Sequence, residues 1–285
     1  MHKKILIVAG ATASGKSARA LSLAQSRDGV IINADSQQMY RELRILTARP
    51  TAQEEALVPH RLYGTMAGAD NCSAGVWLNF ARMEIDWVLS AGKTPIVVGG
   101  TGLYIKALME GIAEIPDVPP QVRAQAVSDY DDMGKDAFAA RLREVDPEFF
   151  VRLSVYDKQR LVRAWEVWLA SGKSLSWWQG RGATPPYAAD RFEVRLVELP
   201  REELYKRCNE RFVAMMEQGA VDEVKQLLSL NLPPDAPIMK SVGVRELSAH
   251  MEGKITLEEA ITQAQQATRN YAKRQLTWFR HQLGT

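Results

Sequence analysis

The sequence predicts an α/β fold, in which helices flank a parallel sheet and a helical insertion interrupts the chain. Three observations support this prediction. Short apolar runs alternate with helical patterns over the first 110 or so residues. A proline-rich opening near residue 115 leads into a stretch with helical patterns only, and a strand pattern returns at 192–199. Strands that alternate with helices are typical of doubly wound parallel sheets.

The predicted strands are four short runs at 4–9, 30–34, 95–98 and 192–199. The first three are continuously apolar, as strands buried on both faces are. They end at Gly10, Asp35 and Gly99, respectively. Parallel strands place their carboxyl ends at one edge of a sheet, where α/β proteins bind ligands. We therefore expect the residues that follow these strands to form the functional site.

Helical patterns fill the rest of the chain and define its organisation. In the core they lie at 17–26, at 73–91, where Ser73 can cap the helix, and beyond residue 200. In the insertion they lie near 121–130, 134–144 and 157–171. The predicted domains are therefore a core of 1–114 and 191–285 and a helical insertion of 115–190.

Composition excludes several classes of protein. The 285 residues are 46% hydrophobic and 25% charged, which is typical of a globular chain and not of a disordered one. Cys72 and Cys208 are too few for a disulfide framework or a cysteine-rich zinc site, so we expect reduced thiols. The apolar stretch 5–8 is too short for a secretory signal or a membrane span, which predicts a cytoplasmic protein without membrane contact. A net charge of +2 neither requires nor excludes a nucleic-acid partner.

A phosphate-binding loop follows the first predicted strand. It is Gly10-Ala11-Thr12-Ala13-Ser14-Gly15-Lys16-Ser17, which fits the pattern G-x-x-x-x-G-K-[ST]. The glycines let backbone N–H groups approach phosphate oxygens, Lys16 neutralises charge and Ser17 offers a hydroxyl to Mg²⁺. The default ligand is a nucleoside triphosphate such as ATP, but any diphosphate satisfies the same groups.

Two further strand ends carry candidate site residues. Asp35 could bind Mg²⁺ through water or act as a general base, and the alternative is a turn cap made together with Ser36. The third strand ends in Gly99-Gly100-Thr101-Gly102, where many NTPases carry an acidic residue. Thr101 can present its hydroxyl at the same edge of the sheet, and the missing acid disfavours a simple ATPase.

Three basic segments are candidates for anion or RNA contact. Arg211 lies four residues after Arg207 on a predicted helix and is a candidate to reach a diphosphate. The segment 157–163 is either an RNA contact or a solvated helix face. The segment 269–281 interleaves basic and aromatic residues, which suits either RNA binding or a docked amphipathic terminal helix.

Together these segments resemble the tRNA dimethylallyltransferases, or tRNA isopentenyltransferases, of the bacterial type. The matching segments are 10–17, Asn33-Ala34-Asp35-Ser36-Gln37-Gln38-Met39-Tyr40, Thr47-Ala48-Arg49-Pro50, Val58-Pro59-His60, Gly99-Gly100-Thr101-Gly102-Leu103-Tyr104, Asp157-Lys158-Gln159-Arg160 and Tyr271-Ala272-Lys273-Arg274-Gln275-Leu276-Thr277-Trp278-Phe279-Arg280. They occur in the family's order over nearly the whole chain. Ala11, Leu46 and Val244 depart from the family, which usually has proline, glycine and an aromatic residue at these positions.

The resemblance implies a P-loop NTPase-like core and a prenyl transfer. Residues 10–17 would hold the diphosphate of dimethylallyl diphosphate, and the acceptor would be N6 of the adenosine 3′ of the anticodon, position 37, in tRNAs that read codons beginning with U. Asp35 would remove the N6 proton, Thr101 would lie where the substrates meet, and Arg211 would stabilise the leaving diphosphate together with Mg²⁺. Ser17, alone or with Asp35, would hold the metal.

The resemblance also implies contacts with the tRNA anticodon stem-loop. The candidate residues are Asp35, Ser36, Gln37, Gln38, Thr101, Arg123, Gln159, Arg160, Arg163, Lys273 and Arg274. We expect a channel through the core, which the flipped base enters on one side and the diphosphate on the other. A monomer is the default.

Two alternatives remain open from the residues alone. The first is a phosphate-loop kinase of a nucleoside or another small metabolite, with Asp35 as the base for a hydroxyl. The second is a nucleotide-gated RNA-binding protein without transferase activity. Neither accounts for the ordered family segments.

Overall fold

A computed structural model of the chain describes residues 3–151 and 157–283. The chain divides into two compact units. Unit 1 comprises Met1–Met109 and Pro186–Thr285, and unit 2 comprises Glu110–Pro185. The predicted insertion, 115–190, begins and ends five residues later than unit 2.

Unit 1 contains a five-stranded parallel sheet. Its strands are β1 (Ile5–Gly10), β2 (Gly29–Asn33), β3 (His60–Arg61), β4 (Thr94–Gly99) and β5 (Phe192–Val197), in the spatial order β3-β2-β4-β1-β5. This is the P-loop NTPase-like sheet that the sequence predicts. The two-residue β3 was not predicted, because it carries no apolar run.

The helices follow in chain order. They are α1 (Lys16–Ser26), α2 (Ala52–Leu57), α3 (Ala74–Ser90) and α4 (Gly102–Glu110), then α5 (Pro120–Val145), α6 (Pro147–Val151), α7 (Lys158–Ser171) and α8 (Leu175–Gly180), and finally α9 (Arg201–Glu217), α10 (Ala220–Ser229), α11 (Val244–Met251) and α12 (Leu257–Gln282). Ser73 caps α3 as expected, since its side chain accepts a hydrogen bond from the backbone N–H of Val76.

Hydrophobic cores lie on both faces of the sheet. Alternate residues of β1 belong to different clusters, with Ile5 and Ile7 in one and Leu6 and Val8 in the other. Both faces are therefore covered, which explains why the predicted strands are continuously apolar. Burial of this apolar surface is the main stabilising contribution to unit 1.

Gly99 brings two strand ends together. A Cβ atom at this position would lie 2.0 Å from the carbonyl oxygen of Ala34, a contact that no other residue could accommodate. The backbone N–H of Thr101 also donates a hydrogen bond of 3.2 Å to the same carbonyl. The residues after β2 and those after β4 are thus fixed beside each other at the carboxyl edge of the sheet.

Unit 2 is built from α5 to α8 around its own core. Phe138, Leu142, Leu161 and Trp165 are buried there. The predicted helices at 121–130 and 134–144 form the single element α5, which is interrupted at Gly134, where φ is 72°. The described residues of unit 2 contain no strand, as expected. Across 3–151 and 157–283, no helix is long and apolar enough to cross a membrane.

Candidate active site

The phosphate-binding loop joins β1 to α1. Gly15, with φ of 89°, precedes the first residue of α1, and Ala13 also has a positive φ of 61°. Ser14 donates its backbone N–H to the carbonyl of Ala11 at 3.2 Å. The loop therefore curls around the N-terminus of a helix, where backbone dipoles favour an anion.

Lys16 is buried inside this loop. It is 9% exposed, and its Nζ donates a hydrogen bond of 3.3 Å to the carbonyl of Ala11. Burial, with a smaller contribution from Arg211, lowers the pKa of Lys16 to about 8, although the carboxylate of Asp35 opposes this shift. A buried ammonium group with a lowered pKa gains stability when an anion binds beside it.

A large cavity of about 660 Å³ opens in front of the loop. We call it the phosphate cavity; it is lined by Ala13, Gly15, Lys16, Ser17, Arg44, Ile45, Ala48, Arg49, Thr51, Ala52, Glu54, Arg207, Arg211, Ala214, Met215 and Gln218. Five of these residues are lysine or arginine. The sequence analysis gave no ligand role to Arg44 or Arg49, because the segment after β2 has no pattern that indicates where it folds. Segment 47–50, which matches the family, was the one signal that could have pointed to Arg49.

A second cavity, of about 70 Å³, adjoins the first. This small cavity is lined by Thr12, Asp35, Gln37, Leu46, Thr47, Cys208, Arg211, Phe212, Met215, Ser241, Val242, Thr268 and Tyr271. Arg211 and Met215 line both cavities. The lining of the small cavity includes polar residues such as Asp35 and Arg211 and apolar residues such as Leu46 and Phe212.

Arg211 lies at the junction of the two cavities. Its Nη1 lies 3.3 Å from Oγ1 of Thr12, to which it donates a hydrogen bond. Burial lowers the pKa of its guanidinium group, and the carboxylate of Asp35 opposes this shift. The arginine predicted to reach a diphosphate therefore lies beside both the loop and the carboxylate.

Asp35 follows β2 and lines the small cavity. Its Oδ1 accepts a hydrogen bond of 3.0 Å from the backbone N–H of Gln37. Its own backbone N–H donates to Oδ1 of Asn33 at 2.8 Å, and the Asn33 side chain donates to the carbonyl of Leu62 at 3.0 Å. Asp35 thus caps a turn, as the alternative predicted, and also faces the cavity.

Thr101 and α12 complete the polar wall. Oγ1 of Thr101 accepts a hydrogen bond of 2.9 Å from the backbone N–H of Ser36. Gln275, 6% exposed, accepts from the Thr12 N–H at 2.8 Å and donates to the Gly100 carbonyl at 2.9 Å. Gln275 thereby connects the phosphate-binding loop to the glycine loop, a role the sequence did not predict.

Tyr271 is a second residue of α12 that the sequence did not predict as part of the site. Burial and the nearby carboxylate of Asp35 raise the pKa of its hydroxyl, which interacts with the side chains of Thr101 and Gln275. At neutral pH this hydroxyl is a neutral hydrogen-bonding group in the small cavity.

Two of the predicted RNA contacts make internal hydrogen bonds. The amide nitrogen of Gln38 donates to the carbonyls of Thr47 at 2.8 Å and Ala48 at 3.0 Å. The side-chain oxygen of Gln37 accepts a hydrogen bond from the hydroxyl of Ser241. Both glutamines therefore hold the walls of the small cavity in place.

The predicted contacts in unit 2 lie on α5 and α7. Arg123 and Arg163 both pair with Glu166, at 3.4 and 3.2 Å, and Glu166 is buried. Arg160 pairs with Asp157 at 3.0 Å, and Gln159 is exposed. The three arginines therefore form ion pairs with carboxylates of unit 2.

The remaining predicted contacts, Lys273 and Arg274, are exposed on α12. With Trp278, His281 and their neighbours they line an open groove of about 660 Å³. Phe279 on the same helix is buried in the core. The helix therefore docks through its apolar side, as one interpretation of segment 269–281 predicts, and presents a basic groove on another side.

The donor set in the phosphate cavity fits Mg²⁺ bound with a diphosphate. Ser17 is exposed in that cavity, whereas Asp35 lines the small cavity. Within the described residues no cluster of three or more His, Cys, Asp or Glu side chains could hold a metal alone. Mg²⁺ commonly binds through one or two protein groups, substrate phosphates and water, so Ser17 suits it.

Comparisons with known proteins agree with this geometry. The family model described as IPP transferase matches residues 38–282, and that described as isopentenyl transferase matches residues 3–68. The tRNA dimethylallyltransferase of Rhodospirillum centenum is 50% identical over 281 residues, covering 99% of this chain and 90% of the relative. That of Chelativorans sp. is 48% identical over 286 residues, covering 100% and 97%, respectively.

Solved structures show the same likeness. The tRNA isopentenylpyrophosphate transferase of Bacillus halodurans matches with a TM-score of 0.69 at 30% identity, covering 99% of this chain and 88% of that one. A eukaryotic dimethylallyltransferase acting on tRNA matches with a TM-score of 0.84 at 26% identity, covering 97% and 70%. These names do not support the kinase alternative. The matched family models and the identity to relatives over almost the full length place this chain in the IPP transferase family.

Proposed function

We propose that this protein transfers a dimethylallyl group from dimethylallyl diphosphate to N6 of the adenosine 3′ of the anticodon, position 37, in tRNAs that read codons beginning with U. The observation that carries this proposal is the pair of adjoining cavities. The phosphate cavity, with Lys16 and Arg211, suits a diphosphate, and the small cavity adjoins it beside Asp35, where the transfer would take place. The activity named for the relatives requires both compartments.

In the proposed reaction, the adenine N6 attacks C1 of the dimethylallyl group. The N6–C1 bond forms, the bond from C1 to the diphosphate oxygen breaks, and diphosphate leaves with the electron pair. The carboxylate of Asp35 accepts the N6 proton. The lone pair of N6 is delocalised into the adenine ring, so removal of this proton in the transition state makes the nitrogen a better nucleophile.

The departing diphosphate gathers negative charge, which the loop is arranged to stabilise. Lys16 is buried and Arg211 is half-buried beside the loop, where a lowered dielectric strengthens their attraction for the leaving group. Ser17, alone or with Asp35, would hold Mg²⁺, which would neutralise part of the diphosphate charge. Thr101 would position the adenine, since it lies between Ser36 and Tyr271.

The tRNA would bind through unit 2 and the basic groove of α12. Gln159 and Arg160 are exposed on α7, and Lys273 and Arg274 are exposed in the groove. Phosphate contacts of this kind position an RNA without reading its sequence. The adenosine would leave its stack to reach Asp35, at a cost of a few kcal/mol. Because the acceptor is tRNA, we expect the protein to work in the cytoplasm.

The direct test is to incubate the protein with Mg²⁺, dimethylallyl diphosphate and an unmodified tRNA that reads a codon beginning with U. Mass spectrometry of the digested nucleosides should show one dimethylallyl group added to adenosine. The matched control is the same tRNA with guanosine at position 37, which should stay unmodified. Unmodified tRNA together with ATP consumption on a small acceptor would instead support a kinase.

A further inference from the structure

An exposed tryptophan lies on α8 in unit 2. Trp177 is 42% exposed, and its ring meets that of Trp178 edge to face, with a centroid distance of 4.9 Å. Trp178 is half-buried against the core of unit 2, and its indole N–H donates a hydrogen bond of 3.0 Å to the hydroxyl of Ser171. The exposed ring is therefore supported by a fixed aromatic neighbour.

Three contacts fix the short helix that carries this ring. The hydroxyl of Ser174 caps α8, since it accepts a hydrogen bond of 3.1 Å from the backbone N–H of Trp177. The N–H of Ser176 donates to Oδ2 of Asp146 at 3.0 Å, and Leu175 is buried in the core of unit 2. A side chain on a fixed element loses less conformational freedom on binding than one on a mobile loop.

Two cations lie against the ring of Trp177. Nζ of Lys173 is 5.4 Å from the ring centroid, and the guanidinium carbon of Arg181 is 5.0 Å from it. Both cationic residues are exposed, and in the part of the chain that the structure describes neither forms an ion pair. No aspartate or glutamate occurs from residue 167 to residue 189. Lys173, Trp177 and Arg181 thus form a basic and aromatic surface, which we call the α8 surface.

Trp87 on α3 of unit 1 provides a comparison. It is 48% exposed, and the guanidinium carbon of Arg61 lies 4.6 Å from its ring centroid. Arg61 also pairs with Glu84 at 3.5 Å, so the charge beside this tryptophan is compensated. The cations beside Trp177 lack such a carboxylate and remain available to an anion.

We propose that the α8 surface binds a nucleotide of the tRNA, in addition to the contacts predicted on α7 and α12. Lys173 and Arg181 each neutralise a phosphate, and Trp177 packs its ring against the nucleotide between them. Aromatic rings beside uncompensated cations are typical of surfaces that bind nucleic acids, because the rings stack and the cations attract phosphates. This inference rests on the proposed function and adds a contact to its tRNA site.

The test measures the dissociation constant of unmodified tRNA at several salt concentrations. Trp177→Ala should weaken binding about five- to a hundredfold, which corresponds to the loss of one aromatic stack. Trp177→Phe keeps an aromatic ring and should retain most of the affinity. Lys173→Ala and Arg181→Ala should each weaken binding a few-fold and reduce the slope of log K against log salt by about one unit.

Steady-state transfer separates a binding role from a structural one. The variants of the α8 surface should raise the KM for tRNA and leave kcat and the affinity for dimethylallyl diphosphate close to the wild-type values. A merely structural defect would lower kcat in proportion to the folded fraction and leave the salt slope unchanged. Melting curves confirm that each variant is folded.

Trp87→Ala is the matched control, because it also removes an exposed tryptophan with an arginine over its ring. Its affinity for tRNA should equal that of the wild type. The inference is overturned if folded Trp177→Ala and Arg181→Ala proteins bind tRNA with the wild-type affinity and salt slope, or if Trp87→Ala weakens binding as much as Trp177→Ala does. A wild-type protein that binds no tRNA would instead overturn the proposed function itself, and this inference with it.

Discussion

The cations of unit 1 and those of unit 2 are arranged in opposite ways. In unit 1, Lys16 is buried and Arg211 is half-buried, and burial lowers the pKa of both groups. In unit 2, Arg123 and Arg163 share the buried Glu166, and Arg160 pairs with Asp157. Desolvated cations that gather around a cavity cost stability until an anion binds, whereas paired cations are already compensated.

This difference in the arrangement of cations matches the difference between a diphosphate and an RNA backbone as ligands. A diphosphate has a fixed shape and concentrated charge, so a preorganised cavity in unit 1 can recognise it. An RNA backbone is extended, and exposed cations on a helix contact it at modest energy each. Substitutions in unit 1 and in unit 2 should therefore affect the two substrates separately.

Asp35→Asn should reduce kcat by about 10²–10⁴-fold, the range typical of a lost general base. Asparagine keeps the size of the side chain and an oxygen that can accept from the N–H of Gln37. Binding of dimethylallyl diphosphate should therefore change little. Single-turnover transfer and calorimetric binding would measure the two quantities. A variant with the wild-type rate would rule out Asp35 as the base.

Deletion of residues 118–185 should weaken tRNA binding by roughly a hundredfold, the effect of losing several phosphate contacts. Unit 2 has its own hydrophobic core, and the phosphate cavity is lined entirely by residues of unit 1. Affinity for dimethylallyl diphosphate should stay nearly intact, as measured by calorimetry with a melting curve to confirm folding. A folded variant that bound neither tRNA nor dimethylallyl diphosphate would contradict this assignment of the two substrates to separate units.

Dimethylallyl diphosphate should bind about tenfold more weakly at pH 9 than at pH 7. In the free protein Lys16 has a pKa of about 8, so it is charged below this pH and loses its proton above it. The bound diphosphate favours the charged form, and binding above pH 8 should therefore take up a proton. Calorimetry in buffers of different ionisation enthalpy measures that uptake.

Lys16→Arg is the matched control for this pH dependence. Arginine stays charged throughout this range, so the variant should show no proton uptake between pH 7 and 9 whatever its absolute affinity. An unchanged pH dependence in this variant would assign the titration to another group.

Arg160→Ala should weaken tRNA binding only a few-fold and reduce the slope of log K against log salt by about one unit. Arg141→Ala is the matched control, because Arg141 is also an exposed arginine of unit 2 in an i, i+3 ion pair, with Glu144. We expect no change of slope for the control. Equal effects of both variants would show that general charge, rather than the face of α7, attracts the RNA.

Most of the fold follows from local sequence patterns. Continuous apolar runs predicted β1, β2 and β4, an alternating pattern predicted β5, and helical spacing with a capping serine predicted α3. The pattern on α3 was less informative about burial. Trp77, Ile85 and Val88 are buried, but Met83 and Trp87 of the same pattern are exposed. Spacing defines the faces of a helix, and only its neighbours decide which face is covered.

Local sequence patterns specify the chemistry that a short motif can hold. The order of residues 10–17 specifies a loop at a helix N-terminus, and Asp35 and Thr101 follow strands whose ends meet at one edge. Such placement is local or dictated by strand order, so a linear pattern predicts it.

Which distant residues complete the site depends on tertiary packing. Glu223 reaches Leu46 across 177 positions, and Gln275 reaches Gly100 across 175. Arg44 and Arg49 lie on a segment without periodicity, which takes its shape from these long-range hydrogen bonds. Contacts between residues far apart in sequence depend on how elements pack, and packing energy is a property of the whole core rather than of any segment.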